Sequence, residues 1–371
     1  MKYIFYKIFI LILFFTENSN SQNFYSVFDE ENKISLDSNK IFFDVKNVNF
    51  FKNNEFFNPI VKGYTLIGYF INPYLIFSLS KNIKIKTGVH LLKYSGINNF
   101  SKISPIFRFQ YNLKSLNIIF GSIYRNHNLI EAIYHFENLF YENIENGLQF
   151  LINKNRIKSD IWLNWENFIF HNDTTQEKLS VGISNKFFIN NKKNKFQISI
   201  PSQLLIFHKG GQINNNENNL QTLINFAVGL NLEFNFKNEN LKNIGTNLFF
   251  VGFQDNSPSK DLFTDAGKSI YPQIYCNLKS YKFIFSYWSS KNFFSQKGDF
   301  FYKNISKQNN YIEKNRELFI LQNSYEREIF KRTYLKVSAE IFYDNNNEII
   351  DYSYAFYIIF NFNKEIFMKK H

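Results

Sequence analysis

One cysteine, Cys276, stands among 371 residues, so no disulfide can form within the chain. No basic residue or histidine is adjacent to it, which argues for an apolar strand position over a reactive thiol. Past residue 21 there is no run of 18 apolar residues, which excludes a helical membrane span. The net charge is +12, yet no dense Lys/Arg block occurs, so nucleic acid is not expected as a partner. Scattered basic residues in a chain rich in Asn, Lys, Ile and Phe fit the codon bias of an A+T-rich genome better than an anionic partner. No Gly-x-Ser-x-Gly element, Gly-rich phosphate loop or His-Glu-x-x-His motif occurs. His90, His127, His135, His171 and His208 are scattered, and only His127 and His135 share a segment. No break in composition marks a second domain.

What is abundant is aromatic. Phe, Tyr and Trp make up 20% of the chain, with 47 Phe and 23 Tyr. That exceeds ordinary globular usage and suits lipid-facing strands and interfacial girdles. The N-terminus carries Lys2 and Lys7, then an apolar stretch from Ile8 to Phe15, then a polar, small stretch from Thr16 to Gln22. This reads as a Sec signal peptide over residues 1–21, cleaved after Ser21. It is too short to anchor as a helix, for which about twenty apolar residues are needed. No cysteine lies near the cleavage site, so a lipoprotein is excluded.

The segment 222–237 alternates without a break. Ile224, Phe226, Val228, Leu230, Leu232, Phe234 and Phe236 fall on one face. Asn225, Ala227, Gly229, Asn231, Glu233, Asn235 and Lys237 fall on the other. Period-two alternation predicts a strand with one face in oil and one in water. Similar strands are expected at 65–79, 82–94, 103–113, 115–125, 145–155, 157–168, 178–189 and 195–206. They continue at 223–237, 243–254, 270–279, 281–290, 299–305, 316–327, 333–343 and 352–362. The pattern predicts an all-β protein: a transmembrane antiparallel up-and-down β-barrel of about sixteen strands, with fourteen to eighteen as the range. Residues 22–371 form the barrel, with 22–60 a periplasmic lead-in, a plug or an additional strand. Its polar wall is expected to include Lys84, Lys86, Asn225, Asn231, Glu233, Asn235, Lys237 and Lys336.

Residues 126–142 interrupt the alternation. Leu129, Ile130, Ile133, Phe136 and Phe140 recur at helical spacing, which predicts a short helix in a loop, either outside or folded into the lumen. His127, Glu131 and His135 are four apart and would share one helical face. Such spacing can hold a metal. Asn-rich flanks and the lack of a nearby Cys or Asp favour a solvated face instead, so no metal or cofactor is assigned. The three are candidates for a constriction.

The same region carries a resemblance. Asn126, His127, Leu129 and Glu131 are followed by Glu145, Asn146, Gly147 and Gln149, then Trp162, Asn164 and Trp165, then Gln176 and Glu177. This stretch resembles a family of uncharacterised Bacteroidota outer-membrane β-barrel proteins with porin-like form. The resemblance implies location and fold, not substrate.

Together these readings give a Sec-exported barrel in the cell outer membrane. Its expected role is passive or weakly selective passage of small solutes, because a sixteen-strand barrel has room for an aqueous channel. The alternative is a structural or surface-interaction barrel with a plugged lumen. Expected partners are outer-membrane lipid, the barrel-insertion machinery during assembly and small solutes; the oligomeric state is left open. With no hydrolase motif, the sequence predicts a protein that is not an enzyme.

Overall fold

Alternation of the kind read at 222–237 governs most of the chain. The computed structural model describes Phe28 and residues 39–368, apart from 193, 212, 214, 217, 239 and 307–310. The leader read at 1–21 lies outside the described residues.

The strands run β1 (Lys40–Glu55), β2 (Tyr64–Ser78), β3 (Ile83–Tyr94), β4 (Lys102–Asn112), β5 (Leu116–Ser122) and β6 (Asn146–Lys154). Then come β7 (Ile157–Asn167), β8 (Glu177–Phe188), β9 (Phe196–Gly210), β10 (Gln221–Asn235), β11 (Leu241–Asp255), β12 (Ala266–Leu278) and β13 (Tyr281–Lys291). A small pair, β14 (Ile305–Ser306) and β15 (Tyr311–Ile312), precedes β16 (Asn315–Phe330), β17 (Thr333–Asp344) and β18 (Ile349–Met368). All but the small pair hydrogen-bond in sequence order, and β1 closes on β18, for example Val48 against Ile359. The result is a closed, antiparallel, sixteen-strand barrel. Closure removes free strand edges, the condition for a sheet in lipid.

Register decides which side chain meets lipid. On β10, Val228 and Leu230 are exposed outward, while Asn225, Asn231 and Glu233 are buried inward. Elsewhere Phe107, Phe120, Ile274, Phe285, Leu321 and Phe356 join the outward apolar band. Trp162 and Trp165 fall on opposite faces of β7: Trp162 is buried in the lumen and Trp165 exposed.

At one end short turns join the strands, as at Lys331–Arg332 between β16 and β17. At the other end the links are longer, and two of them fold into the barrel. These are the segment 123–145 between β5 and β6 and the segment after β13 that starts at 292. Their side chains Ile123, Ile133, Phe293, Phe294, Phe301 and Tyr302 form one apolar cluster with wall residues such as Leu205, Phe253, Trp288 and Ile320. Phe28 enters a second cluster with Phe50, Phe140 and Tyr357. The half of the lumen near the long links is therefore a packed core. The half near the short turns stays polar, lined by Asn231, Glu233, Asn243, Asn277, Ser324 and Lys336.

Within 22–60, read as a lead-in, a plug or an additional strand, the additional strand is present, and it offsets one expected strand that is not in the barrel. Lys40–Glu55 is β1, although it does not alternate cleanly. Its inward Val48 and Phe50 pack on the plug, so apolar residues occur on both faces. Conversely, the stretch expected as a strand at 299–305 is not in the barrel. It holds a short 3-10 turn, Phe300–Tyr302, whose Phe301 and Tyr302 are buried in the core. The expected helix over 126–142 shrinks to α1 (Asn138–Tyr141). Asn128 adopts φ of 53°, a left-handed turn that breaks any helix started before it.

Candidate functional site

The segment 123–145 is fastened to the wall by the residues that stand out in its sequence. Ile123 N–H donates to the Glu145 carbonyl at 2.9 Å. Gln149 on β6 accepts from Tyr124 N–H at 2.8 Å and donates to the Tyr124 carbonyl at 2.9 Å and to Asp160 at 2.8 Å. His127 then sits between two carboxylates, with Nδ1 2.8 Å from Asp160 and Nε2 2.7 Å from Glu145. Its ring stacks on Trp162 at 3.6 Å and 7°. Gly182 on β8 makes this possible, since a Cβ there would lie 2.0 Å from the Trp162 ring. Both imidazole nitrogens face acceptors, so the ring is held as a cation donating twice. Burial opposes that charge, but Asp160 and Glu145 outweigh it and raise His127 to about 9. Burial likewise opposes charge on Glu145, but His127 and Arg125 hold it down at about 2. The set is a closed ionic latch, with no lone pair left for base chemistry.

A second cluster forms where the two inner segments meet. Asp299 N–H donates to the Glu131 carbonyl at 2.9 Å, and His135 N–H donates to the Lys297 carbonyl at 2.8 Å. Gly298 allows this approach, because a Cβ there would lie 2.0 Å from the Ala132 carbonyl oxygen. His135 Nε2 is 3.5 Å from Asp299 and 3.8 Å from Glu137. Ligand atoms of Glu131, His135 and Asp299 all lie within 4.8 Å of one another. Beside them is a space of about 10 Å³, also lined by Lys52, Tyr64 and Glu340. That is close to the minimum for one water. Lys52 ion-pairs with Glu137 at 2.7 Å and Glu340 at 3.3 Å. Burial pushes Glu137 up, but Lys52 and His135 prevail and bring it to about 2. Burial, reinforced by the nearby Asp299 carboxylate, raises Glu131 well above the ordinary carboxyl range. The cluster thus joins an imidazole, an ammonium and several carboxyl groups around one water-sized space. It can polarise a water, or hold a divalent cation through one nitrogen and two oxygens.

His127, Glu131 and His135 all lie on the inner segment, but not on one solvated face. His127 is 2% exposed and His135 8%, and they belong to different clusters. Among the wall candidates, Lys86, Asn225, Asn231, Glu233 and Lys336 are buried in the lumen, and Lys84 and Asn235 are partly buried. Lys237 lies past the end of β10 and is exposed. Sequence reasoning missed Asp299, Glu137 and Lys52. Asp299 sits in a stretch taken for a strand, and nothing local links it to His135.

The sequence profile of the lipid A 3'-O-deacylase-type family matches residues 29–371. The chain belongs to that family. Membership corrects the expectation of a protein without enzymatic activity, since the family is named for a deacylase. No contiguous hydrolase motif in the sequence marks such an activity. The fold is also similar to that of OprD from Pseudomonas aeruginosa, with TM-score 0.52, 9% identity and coverage of 91% of this chain and 97% of that one. OmpTdeltaL8, a loop L8 deletion mutant of OmpT from Vibrio cholerae, gives TM-score 0.54 at 7% identity, covering 88% and 100%. Both are outer membrane proteins, and at these identities the likeness is one of fold. Among curated proteins none matches this chain. The chain thus joins membership of the deacylase-type family to a fold that known outer membrane proteins share.

Proposed function

We propose that the protein is an outer-membrane ester hydrolase that removes an acyl chain from a lipid A-type glycolipid. The observation that carries this reading is the convergence of Glu131, His135 and Asp299 around a water-sized space inside the barrel. His135 takes a proton from water as the water oxygen attacks the acyl carbonyl. Asp299 and Glu137 face the imidazolium that forms. Glu131, kept neutral by burial, offers an O–H to the carbonyl oxygen. The ester C–O bond then breaks and the proton passes to the leaving alkoxide. General-base catalysis by a positioned side chain and stabilisation of the oxyanion are the two effects used. In this reading outer-membrane lipid is both the surrounding solvent and the source of substrate. Sec export through the leader at 1–21, and assembly by the barrel-insertion machinery, belong to the same reading.

The test is release of fatty acid from lipid A vesicles by the purified barrel, read by mass spectrometry. Release by the native protein, and release slowed by about 10²–10⁴-fold in His135→Ala, is expected. Absence of release by folded native protein would sink the proposal.

A second reading is passive or weakly selective passage of small solutes, supported by the sixteen-strand closure. The packed half of the lumen speaks against it and favours a barrel that transports nothing. In a planar bilayer the native protein should give no steady conductance; a regular ohmic channel would favour passage.

A further inference from the structure

A second, larger cavity lies on the other side of Glu131, and its chemistry differs from that of the cluster. Its volume is about 130 Å³, close to the roughly 150 Å³ of an engineered cavity that holds benzene. Lys46, Arg108, Arg125 and His127 line it, and Glu131 is the one carboxyl group among its described lining residues. Arg108 is fixed over the Tyr124 ring at 3.8 Å and donates to the carbonyls of Ser122 and Ile123. Arg125 donates from Nε and Nη2 to the Tyr134 hydroxyl, at 3.1 and 2.8 Å, and Nε lies 3.4 Å from Glu145. Its Nη1 is buried and meets no acceptor among the described residues. A buried donor without a partner is costly, and a guanidinium fork is shaped for a carboxylate or phosphate oxygen. Apolar side chains, Phe28, Phe70, Ile106, Phe136 and Leu139, share the lining with uncharged polar ones such as Asn72, Asn126 and Asn143.

We infer that this cavity binds an anionic group carried on an apolar stem, either a carboxylate or a phosphate monoester, with Arg125 Nη1 meeting an anion oxygen. The inference stands without the hydrolase reading, because it rests on the charge and shape of this cavity alone. If both hold, an occupant lies beside the His135 cluster, since Glu131 lines both spaces.

The test is calorimetric titration of the full barrel in phosphatidylcholine nanodiscs. Octanoate and octyl phosphate should bind, and neutral octanamide should bind at least about tenfold more weakly, the scale of one charge-assisted hydrogen bond. Tighter binding of octyl phosphate would point to a lipid head as the natural anion; tighter binding of octanoate would point to a free acid. Arg125→Gln should weaken both anions about tenfold and leave octanamide unchanged, while Arg125→Lys should restore part of the loss. Lys46→Met provides a second variant should Arg125→Gln fail to insert, and the same loss is expected. Equal binding of octanamide and octanoate would overturn the inference. So would unchanged anion affinity in charge-removing variants that keep heat-modifiable gel mobility.

Discussion

The two halves of the barrel lumen are built from the same alternating strands and differ in what meets them. Near the short turns, inward positions carry Asn231, Glu233, Asn277, Ser324 and Lys336, a wall that water or its own hydrogen bonds can satisfy. Asn231, for example, accepts from Ser199 and donates to Asn247 and Tyr275. Near the long links the inward positions of the same strands turn apolar, as at Leu205, Phe253, Trp288 and Ile320. Those side chains would be misplaced in a wet channel. They are buried because the segments 123–145 and 292–304 fold in and cover them. Burying a large side chain from water stabilises by roughly 1.5–3 kcal/mol, so the plug is a second core with its own stability. A barrel can thus be a porin in outline and a globular protein inside. The polar groups placed in that core, His127, His135 and Asp299, are the ones that packing holds in fixed geometry.

This contrast can be broken from the packed side first. His135→Ala should lower acyl release by about 10²–10⁴-fold, the usual range for a positioned base, with the barrel still inserted and heat-modifiable. Trp288→Ala removes a fully buried ring that packs on Phe293 and Tyr302. It should destabilise by about 3–5 kcal/mol in urea titrations from lipid vesicles. Gly182→Ala places a methyl against Trp162 and should cost about 1–3 kcal/mol through overpacking, also separating the His127 stack. Asn231→Ala, on the polar side, should cost only about 1 kcal/mol, because water can replace its partners. If Asn231→Ala proved as damaging as Trp288→Ala, the distinction between the two halves would fail.

The latch sharpens the same comparison through pH. His127 is raised from 6.5 to about 9, so its contribution is full below about 6.5 and is lost as pH climbs through 9. Glu145 is lowered from 4.5 to about 2, so its contribution is full above about 4.5 and fades as pH falls toward 2. Hydrogen exchange of residues 123–145 should therefore be slowest between about pH 4.5 and 6.5, after correction for the intrinsic rate. Strands of the polar half should show no such window.

How much of this was legible depended on what each residue answers to. The strand at 222–237 was legible because lipid and lumen act on alternate residues locally. The stretch from Asn126 to Trp165 was legible as a special region, and its Glu145, Gln149 and Trp162 do hold the inner segment in place. β1 was obscured because its inward Val48 and Phe50 answer to the plug and not to water. The segment 299–305 looked like a strand because Phe300, Phe301 and Tyr302 are strand formers that serve here as core. His127, Glu131 and His135 were read as one face because helical spacing was assumed, whereas a left-handed Asn128 and a succession of turns send them to different partners.

The sequence by itself determined the barrel: alternation sets the two faces of each strand, and the regular succession of strands sets the sheet. Only the tertiary structure decided that the lumen is filled and where its chemistry lies. Whether an inward residue meets water or protein depends on chain distant in sequence. His135 and Asp299 become neighbours only when two long links, one after β5 and one after β13, fold into the same half of the barrel.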